Sequence, residues 1–319
     1  MTLKKESCFS PFFSLESPVF SLLEAVMTEE KHSCETCSST TCSAKKKMAN
    51  ENDEQFLARQ EIKKNLCQIK NKILVMSGKG GVGKSSVAVN IAMALAMDGK
   101  NVGLLDIDLH GPSIPTMFGM KDGKINVENN KFVPITFGAL KIMSVGFFLQ
   151  DSDDAIIWRG PIKHGMIQQF FKDVSWGTLD YLVIDSPPGT GDELLSLINI
   201  VEDLTGAVLV TTPQEVAAAD VRKSVNFCEK ANIKILGIVE NMSGYVCPHC
   251  GKVTDIFKVG AGQQIAEKYN LKLLGKIPLD PAVGDSGDCG LPFVYAHGES
   301  PTAKEFESVT RQIEDICEL

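Results

Sequence analysis

Short runs of apolar, mostly β-branched residues alternate with amphipathic stretches from about residue 73 onward. Uninterrupted apolar runs are typical of strands that helices cover on both faces. The pattern predicts strands at 73–77, 102–106, 140–145, 181–185, 207–212, 235–240 and 273–277. It predicts helices at 85–97, 161–171, 193–201, 217–231, 262–269 and 302–317. This alternation indicates an α/β fold, a doubly wound, mainly parallel sheet with helices on both faces.

The first seventy residues have a different composition. Residues 1–50 are rich in Ser, Thr, Lys and Glu and hold the closely spaced Cys34, Cys37 and Cys42, so we expect a flexible tail there. Residues 51–70 are charged and predict a helix that leads into the domain. Residues 71–319 then form one domain with the P-loop and the cysteine pair described below.

Composition narrows the class of protein. The chain has 319 residues, 44% of them hydrophobic, which is ordinary for a globular domain. A net charge of −8 argues against a nucleic-acid partner. No apolar run approaches the roughly 18 residues of a membrane span, and prolines interrupt the apolar N-terminal stretch, so we expect no membrane partner and a cytoplasmic location. Ten cysteines in a reducing compartment favour metal binding over disulfides.

A glycine-rich loop follows the first predicted strand and precedes a helix. It matches G-x-x-x-x-G-K-[ST], whose backbone amides and helix N-terminus bind phosphate oxygens. Lys84 is expected to reach the β- and γ-phosphates, and the Ser85 hydroxyl to hold Mg²⁺. The expected nucleotide-binding residues here are Gly78, Lys79, Gly80, Gly81, Val82, Gly83, Lys84, Ser85 and Ser86.

Lys79 is the unusual residue of this loop. Two lysines so close together repel each other unless an anion neutralises both. Lys79 could instead point outward, to a second nucleotide across a subunit interface. A solvated loop lysine is the simpler alternative.

Carboxylates end two of the predicted strands. Asp106 ends the second strand and Asp108 lies two residues further on, so alternation along a strand places them on one face. Asp185 ends the fourth strand and is the expected carboxylate on the Mg²⁺ side of the site. The carboxyl ends of parallel strands face the ligand crevice of such a sheet, so these residues are expected near the P-loop.

The loop Lys79–Ser85 resembles that of the deviant P-loop ATPases, which include MinD, the nitrogenase iron protein and arsenite pump ATPases. The resemblance implies that Lys79 reaches the phosphates of a partner in a homodimer. It implies that Asp108 orients or activates the attacking water, with Asp106 in support. It also places Asn241 against adenine; the alternative is a turn residue held by its own hydrogen bonds.

A cysteine pair, Cys247 and Cys250, follows Asn241 closely. Two thiolates complete neither a tetrahedral Zn²⁺ site nor a four-iron cluster, since both need four ligands. The missing pair could come from a symmetry-related copy or from Cys34 and Cys37. A zinc knuckle and a redox dithiol are the alternatives.

The combination of these motifs is similar to the Mrp/ApbC-type iron–sulfur carrier ATPases. The motifs that carry the resemblance are 79–85, 106–113, 158–161, 185–192, 241–243 and 247–250. The resemblance implies that ATP, Mg²⁺ and a labile [4Fe–4S] cluster are bound, with Cys247 and Cys250 of two chains bridging the cluster. The homodimer would take clusters from a donor and pass them to apo-proteins, with slow ATP hydrolysis. The spacing of Cys34, Cys37 and Cys42 departs from the N-terminal clusters of such relatives, so a second cluster is doubtful.

Two other functions fit part of the sequence. A MinD- or ParA-like positioning ATPase with a structural zinc knuckle shares the P-loop, but the acidic C-terminal helix predicted at 302–317 would be repelled by anionic lipid. An electron-transfer ATPase like the nitrogenase iron protein also bridges a cluster, but it uses two cysteines far apart in sequence.

Overall fold

The computed structural model describes residues 46–47, 51–109, 111–148, 160–246, 250, 252–257 and 260–318. The cysteines of the predicted tail, Cys34, Cys37 and Cys42, lie outside these residues, as does Cys247 of the cysteine pair. The tail and any second cluster in it therefore stay predictions.

The strands of the main sheet supply the framework of the domain. In chain order the strands are β1 (Ile69–Ser77), β2 (Val102–Asp106), β3 (Asn126–Glu128), β4 (Lys131–Val133), β5 (Ile135–Phe137), β6 (Leu140–Ser144), β7 (Leu179–Asp185), β8 (Gly206–Thr211), β9 (Ile235–Val246), β10 (Val253–Thr254) and β11 (Leu273–Leu279). The main sheet has the order β10-β9-β8-β1-β7-β2-β6-β5, and β11 pairs with β9. Pairing within the main sheet is parallel except for β5 with β6 and β10 with β9. Strands β3 and β4 form a separate antiparallel pair. The predicted mainly parallel sheet is confirmed.

Helices cover both faces of this sheet. They are α1 (Asp53–Leu66), α2 (Lys84–Met97), α3 (Ile114–Met117), α4 (Gly160–Lys172), α5 (Asp192–Ile200), α6 (Glu215–Lys230), α7 (Ala261–Tyr269), α8 (Pro281–Asp288), α9 (Phe293–Ala296) and α10 (Pro301–Glu318), with a 3-10 turn at Val145–Phe148. Among the described residues none of these helices is both long enough and apolar enough to cross a bilayer.

The alternation of side chains along β1 shows why the sheet is doubly wound. Leu74 and Met76 belong to one buried cluster, with residues of α1, α4 and α6. Ile73 and Val75 belong to the other, with residues of α2 and α10. Successive side chains of a strand point to opposite faces, so an unbroken apolar strand needs cover on both.

The structure corrects two predicted boundaries. Strand β1 begins at Ile69, so residues 69 and 70 are not part of the leading helix, which ends at Leu66. Strand β9 continues to Val246, six residues beyond its predicted end. The short strands β3, β4, β5 and β10 and the helices α3, α8 and α9 were not predicted.

Candidate functional site

The P-loop connects β1 to α2, as predicted. Gly81 and Gly83 have φ angles of 77° and 79°, in the left-handed region that disfavours side chains. At Gly83 a Cβ atom would also collide with the amide nitrogen of Asn241. Glycine is therefore required at this turn for two independent reasons.

Lys84, at the start of α2, forms a buried ion pair with Asp185 at the end of β7. Its Nζ lies 2.5 Å from Oδ1 of Asp185 and 3.3 Å from Oγ of Ser85. Burial raises the pKa of the Asp185 carboxyl, and the charge of Lys84 opposes that rise. The two groups compensate each other's charge, so a phosphate that draws Lys84 away must be accompanied by a cation for Asp185.

The residues around Asp185 fit the Mg²⁺ ion that the sequence predicts. Oδ2 of Asp185 is buried and has no hydrogen-bond partner among the described residues. The Ser85 side chain lowers the pKa of the same carboxyl group. Carboxylate and hydroxyl oxygens are the hard ligands that Mg²⁺ prefers, usually one or two of them together with phosphates and water. Ser85 and Asp185 are therefore suited to hold it.

Asp106 is buried beside Asp185, because β2 and β7 pair in parallel with these two residues in register. Its Oδ1 accepts a hydrogen bond from the backbone amide of Asp108 at 3.0 Å, and its Oδ2 accepts one from Oγ of Ser144 at 2.9 Å. Burial, and then the charge of Asp185, raise the pKa of Asp106 to about 7. Asp106 thus holds the backbone of Asp108 in place.

Asp108 has a different environment from Asp106. Strand β2 ends at Asp106, so alternation along a strand does not extend to Asp108. Asp108 is half-buried and lines a cavity of about 230 Å³ over the P-loop, together with Lys79, Lys84 and Ser85. Of the two carboxylates, Asp108 is the one placed to meet a ligand.

Lys79 and the loop after β7 complete the wall of this cavity. Lys79 is half-buried, and its carbonyl accepts a hydrogen bond from Oγ of Ser77 at 2.9 Å. Pro188 lines the cavity from the other side. The amide of Gly189 donates to the carbonyl of Ser77 at 2.9 Å, which fastens the Pro-Pro-Gly segment to the end of β1.

A second cavity, of about 480 Å³, adjoins the first. The two share four lining residues, Gly83, Ser86, Ser113 and Met117. Most of the remaining wall comes from the segment 278–293, which includes α8, and from Asn241 and Met242. A largely apolar cleft with a few polar groups beside a phosphate loop is a suitable place for a nucleobase.

Asn241 lies on this second cavity, within β9. The alternative interpretation, in which Asn241 is a turn residue held by its own hydrogen bonds, is therefore wrong. Its Nδ2 donates to the carbonyl of Val82 in the P-loop at 2.9 Å. The predicted base-contacting residue is thus also a support of the phosphate loop.

Cys250, the described member of the cysteine pair, lies in the connection between β9 and β10. Val246 and Tyr245 of β9 pair with Val253 and Thr254 of β10 in antiparallel fashion, so residues 247–252 connect the strands of a hairpin. Cys250 in this connection is exposed.

Two other cysteines are poor ligands. Burial raises the pKa of Cys228 to about 12 and that of Cys317 to about 11. Thiolates, not thiols, bind metal, so these two residues act as small apolar side chains.

Several residues of the site were missed by the sequence reasoning. Ser144 ends β6 at the same edge of the sheet as Asp106 and Asp185, so the strand-end rule could have found it. Helix α8 could have been found from Asp280 and Pro281, a helix-capping residue followed by proline at the first helical position.

Comparison with known proteins shows the family of the chain. A family model described as the NUBPL iron-transfer P-loop NTPase matches residues 68–314. The chain is 48% identical over 260 residues to an iron-sulfur cluster carrier protein of Saccharolobus solfataricus, across 81% of this chain and 88% of that protein. It is 45% identical to one of Methanocaldococcus jannaschii over 294 residues, 92% and 99% of the two chains. It is 47% identical over 262 residues to the cytosolic Fe-S cluster assembly factor CFD1 of Chaetomium globosum, across 77% and 86%.

Solved structures show the same fold. A nucleotide-binding protein of Archaeoglobus fulgidus in complex with ADP has a TM-score of 0.68 and 40% identity, over 78% of this chain and 96% of that chain. The cell division ATPase MinD of Pyrococcus furiosus has a TM-score of 0.58 and 26% identity, over 77% and 99%.

Proposed function

The chain belongs to the family of NUBPL iron-transfer P-loop NTPases, and from this premise we propose that it is an ATP-hydrolysing iron–sulfur cluster carrier that works as a homodimer. Each dimer would bind one [4Fe–4S] cluster between its subunits and pass it to apo-proteins. The relatives named as carriers, and the exposed Cys250 in the connection that follows β9, support this proposal.

The nucleotide half of the proposal rests on the P-loop and its carboxylates. Lys84 would leave Asp185 for the β- and γ-phosphates of ATP, while Ser85 and Asp185 hold Mg²⁺, which neutralises phosphate charge when bound. Asp108 would orient the attacking water from the cavity wall. Asp106 would keep Asp108 in position through the hydrogen bond to its backbone amide.

Lys79 is proposed to act on the partner subunit's nucleotide. A cation supplied from outside the site can stabilise charge on the transferring phosphoryl group only when the subunits meet. Hydrolysis would therefore depend on dimerisation and be slow in a separate chain.

Asn241 is proposed to bind the base. A carboxamide can both donate to and accept from the N6/N7 edge of adenine, which favours ATP over other nucleotides. The cavity that Asn241 lines has the size and apolar character for a base.

The cluster would be bound by Cys247 and Cys250 of both subunits. Four thiolates then complete a cluster that one pair alone cannot hold. Ligation shared between exposed hairpins makes the cluster labile, as a carrier needs. Relatives named as cytosolic assembly factors support a cytoplasmic location.

Anaerobic reconstitution with iron and sulfide tests the proposal. The protein is expected to bind about four iron atoms per two chains, the content of one [4Fe–4S] cluster. Cys250→Ser should abolish iron binding, whereas Cys67→Ser, at an exposed cysteine after α1, should retain it. Full iron in the Cys250→Ser protein, or stoichiometric zinc in the purified protein, would contradict the carrier function.

A further inference from the structure

Strand β9 connects the nucleotide cavity to the cysteine hairpin. Its residue Asn241 donates a hydrogen bond to the P-loop carbonyl of Val82, and the strand ends at Val246, next to the cysteine pair. Only a few residues of extended chain therefore separate a nucleotide-binding contact from the first cysteine.

The part of β9 beside the cavity is irregular. Met242 has a φ angle of 57°, in the left-handed region that non-glycine residues rarely adopt, and its side chain lines the cavity. The pairing with β11 shifts register here, between Ile277 opposite Asn241 and Leu279 opposite Tyr245. A non-glycine residue keeps such a backbone only while its surroundings hold it, so a change in the cavity can release it.

The far end of β9 determines where the hairpin lies. Strand β10 has two residues and lies at the edge of the sheet, where it pairs with β9 alone. Any displacement of the end of β9 is therefore carried to the connection that contains Cys250.

We propose that Asn241 and Met242 are positioning residues that couple base binding in the nucleotide cavity to the arrangement of the cysteine hairpin. The inference rests on the proposed function, which supplies the nucleotide and the role of the cysteines. The side-chain amide of Asn241 that would bind the base also donates to the carbonyl of Val82 in the P-loop. Base binding would therefore change the contacts of both Asn241 and the P-loop. Met242, the next residue, would pass this change into β9.

The coupling is measured on metal-free, reduced protein as the alkylation rate of Cys250, read by mass spectrometry of its peptide. Cys250 is exposed, so the measurable change is protection of its thiol. ADP and ATP are both expected to slow alkylation by about fivefold or more, the lower end of typical coupling between two sites. ADP lacks the γ-phosphate that is hydrolysed. Slower alkylation with ADP therefore cannot be attributed to the contacts between subunits that hydrolysis requires.

The phosphate chain alone should not produce this effect. Tripolyphosphate can occupy the P-loop but offers nothing to Asn241, so it should slow alkylation less than twofold. An effect of tripolyphosphate equal to that of ADP would overturn the base cavity as the origin of the coupling. Identical rates with and without ADP in the unmodified protein would overturn the proposal altogether.

Two variants test the two residues, each at ADP concentrations that saturate it in its own titration. Asn241→Asp keeps the shape but removes the donor to Val82, and Met242→Gly removes the side chain and relaxes the left-handed backbone. Both should lose the response to ADP. The control is Thr254→Ala, an exposed position on β10 of the same hairpin, which should keep it.

Cys228 reports on folding in the same samples. It is fully buried, so its alkylation marks unfolded protein. The role of Asn241 and Met242 would be refuted if both variants are folded and still respond to ADP. It would also be refuted if the Thr254→Ala control loses the response to the same extent.

The outcome is separable from that of the carrier proposal. Protein that binds iron as expected but shows no protection by ADP would refute the coupling alone. Protection by ADP in a protein that binds no cluster would refute the carrier function and leave the coupling intact.

Discussion

The nucleotide site and the cysteine hairpin are built in opposite ways. The nucleotide site lies where the central strands β1, β2 and β7 end, and Lys84, Asp106 and Asp185 are all buried there. The hairpin lies at the edge of the sheet, on a two-residue strand, with Cys250 exposed. On the proposed function, a single chain would thus supply a preformed site for phosphate and Mg²⁺ but only half of a site for a cluster.

The difference indicates where a second copy is needed. Buried charges in the nucleotide site compensate each other within the chain, so it can bind a nucleotide before any partner arrives. The cysteine pair has two of the four thiolates that a cluster requires. If the proposed function is correct, binding of the cluster, unlike binding of nucleotide, is expected to depend on protein concentration.

The largest effect is expected at Lys84. Lys84→Met removes the charged contacts that Lys84 is expected to make to the phosphates. The loss of these charge-assisted hydrogen bonds should lower ATP affinity by on the order of a thousandfold. It also leaves Asp185 buried without its partner, which lowers the free energy of unfolding by about 3 to 5 kcal/mol. Calorimetric titration with ATP and urea denaturation measure the two effects.

A double variant separates them. Adding Asp185→Asn to Lys84→Met removes the uncompensated charge, so stability should return while ATP binding stays lost. Recovery of ATP binding in the double variant would mean that Lys84 acts only by neutralising Asp185.

A smaller effect, confined to turnover, is expected at Lys79. Lys79→Ala should leave ATP affinity within about threefold but lower the hydrolysis rate by about a hundredfold, the usual loss for one transition-state donor. Steady-state hydrolysis at several protein concentrations measures it. Lys223→Ala, at an exposed lysine of α6, is the control. Equal losses of affinity and turnover would assign Lys79 to its own chain's nucleotide instead.

The smallest effect is a pH dependence of stability. Burial raises the pKa of Asp106 to about 7 in the folded protein, whereas the ordinary pKa of this group in the unfolded chain is 3.8. Between these values the folded protein binds the extra proton, so its stability falls as pH rises.

The Asp106→Asn variant is the reference protein, because its side chain at position 106 does not titrate in this pH range. Relative to this variant, the unmodified ligand-free protein should lose on the order of 2 kcal/mol of unfolding free energy between pH 5 and pH 8. Urea denaturation at the two pH values measures the difference. Parallel pH profiles for the two proteins would show that Asp106 is ionised throughout.

The same two regions differ in how well the sequence predicts them. Uninterrupted apolar strands, a glycine-rich loop and carboxylates at strand ends predict the nucleotide site, because each feature is local in the sequence. The start of β1 was missed because the apolar run that predicts this strand begins only after the charged residue Lys72. In the fold its side chain is buried, and its Nζ donates to the carbonyls of Leu66 and Ile69 at 3.3 and 2.8 Å.

The end of β9 was missed for a related reason. Asn241 and Met242 resemble a turn in sequence, and Met242 does have a turn-like backbone. The strand nevertheless continues, because Asn241 is held by Val82 and the next residues pair with β10 and β11. Contacts with residues distant in the sequence decide such a boundary, and local patterns do not contain them.

Native mass spectrometry of the anaerobically reconstituted protein tests the shared site most directly. We predict a species with the mass of two chains and one [4Fe–4S] cluster, which Cys250→Ser cannot form. A cluster bound to one chain, or a protein that stays monomeric with nucleotide and cluster both present, would contradict the account.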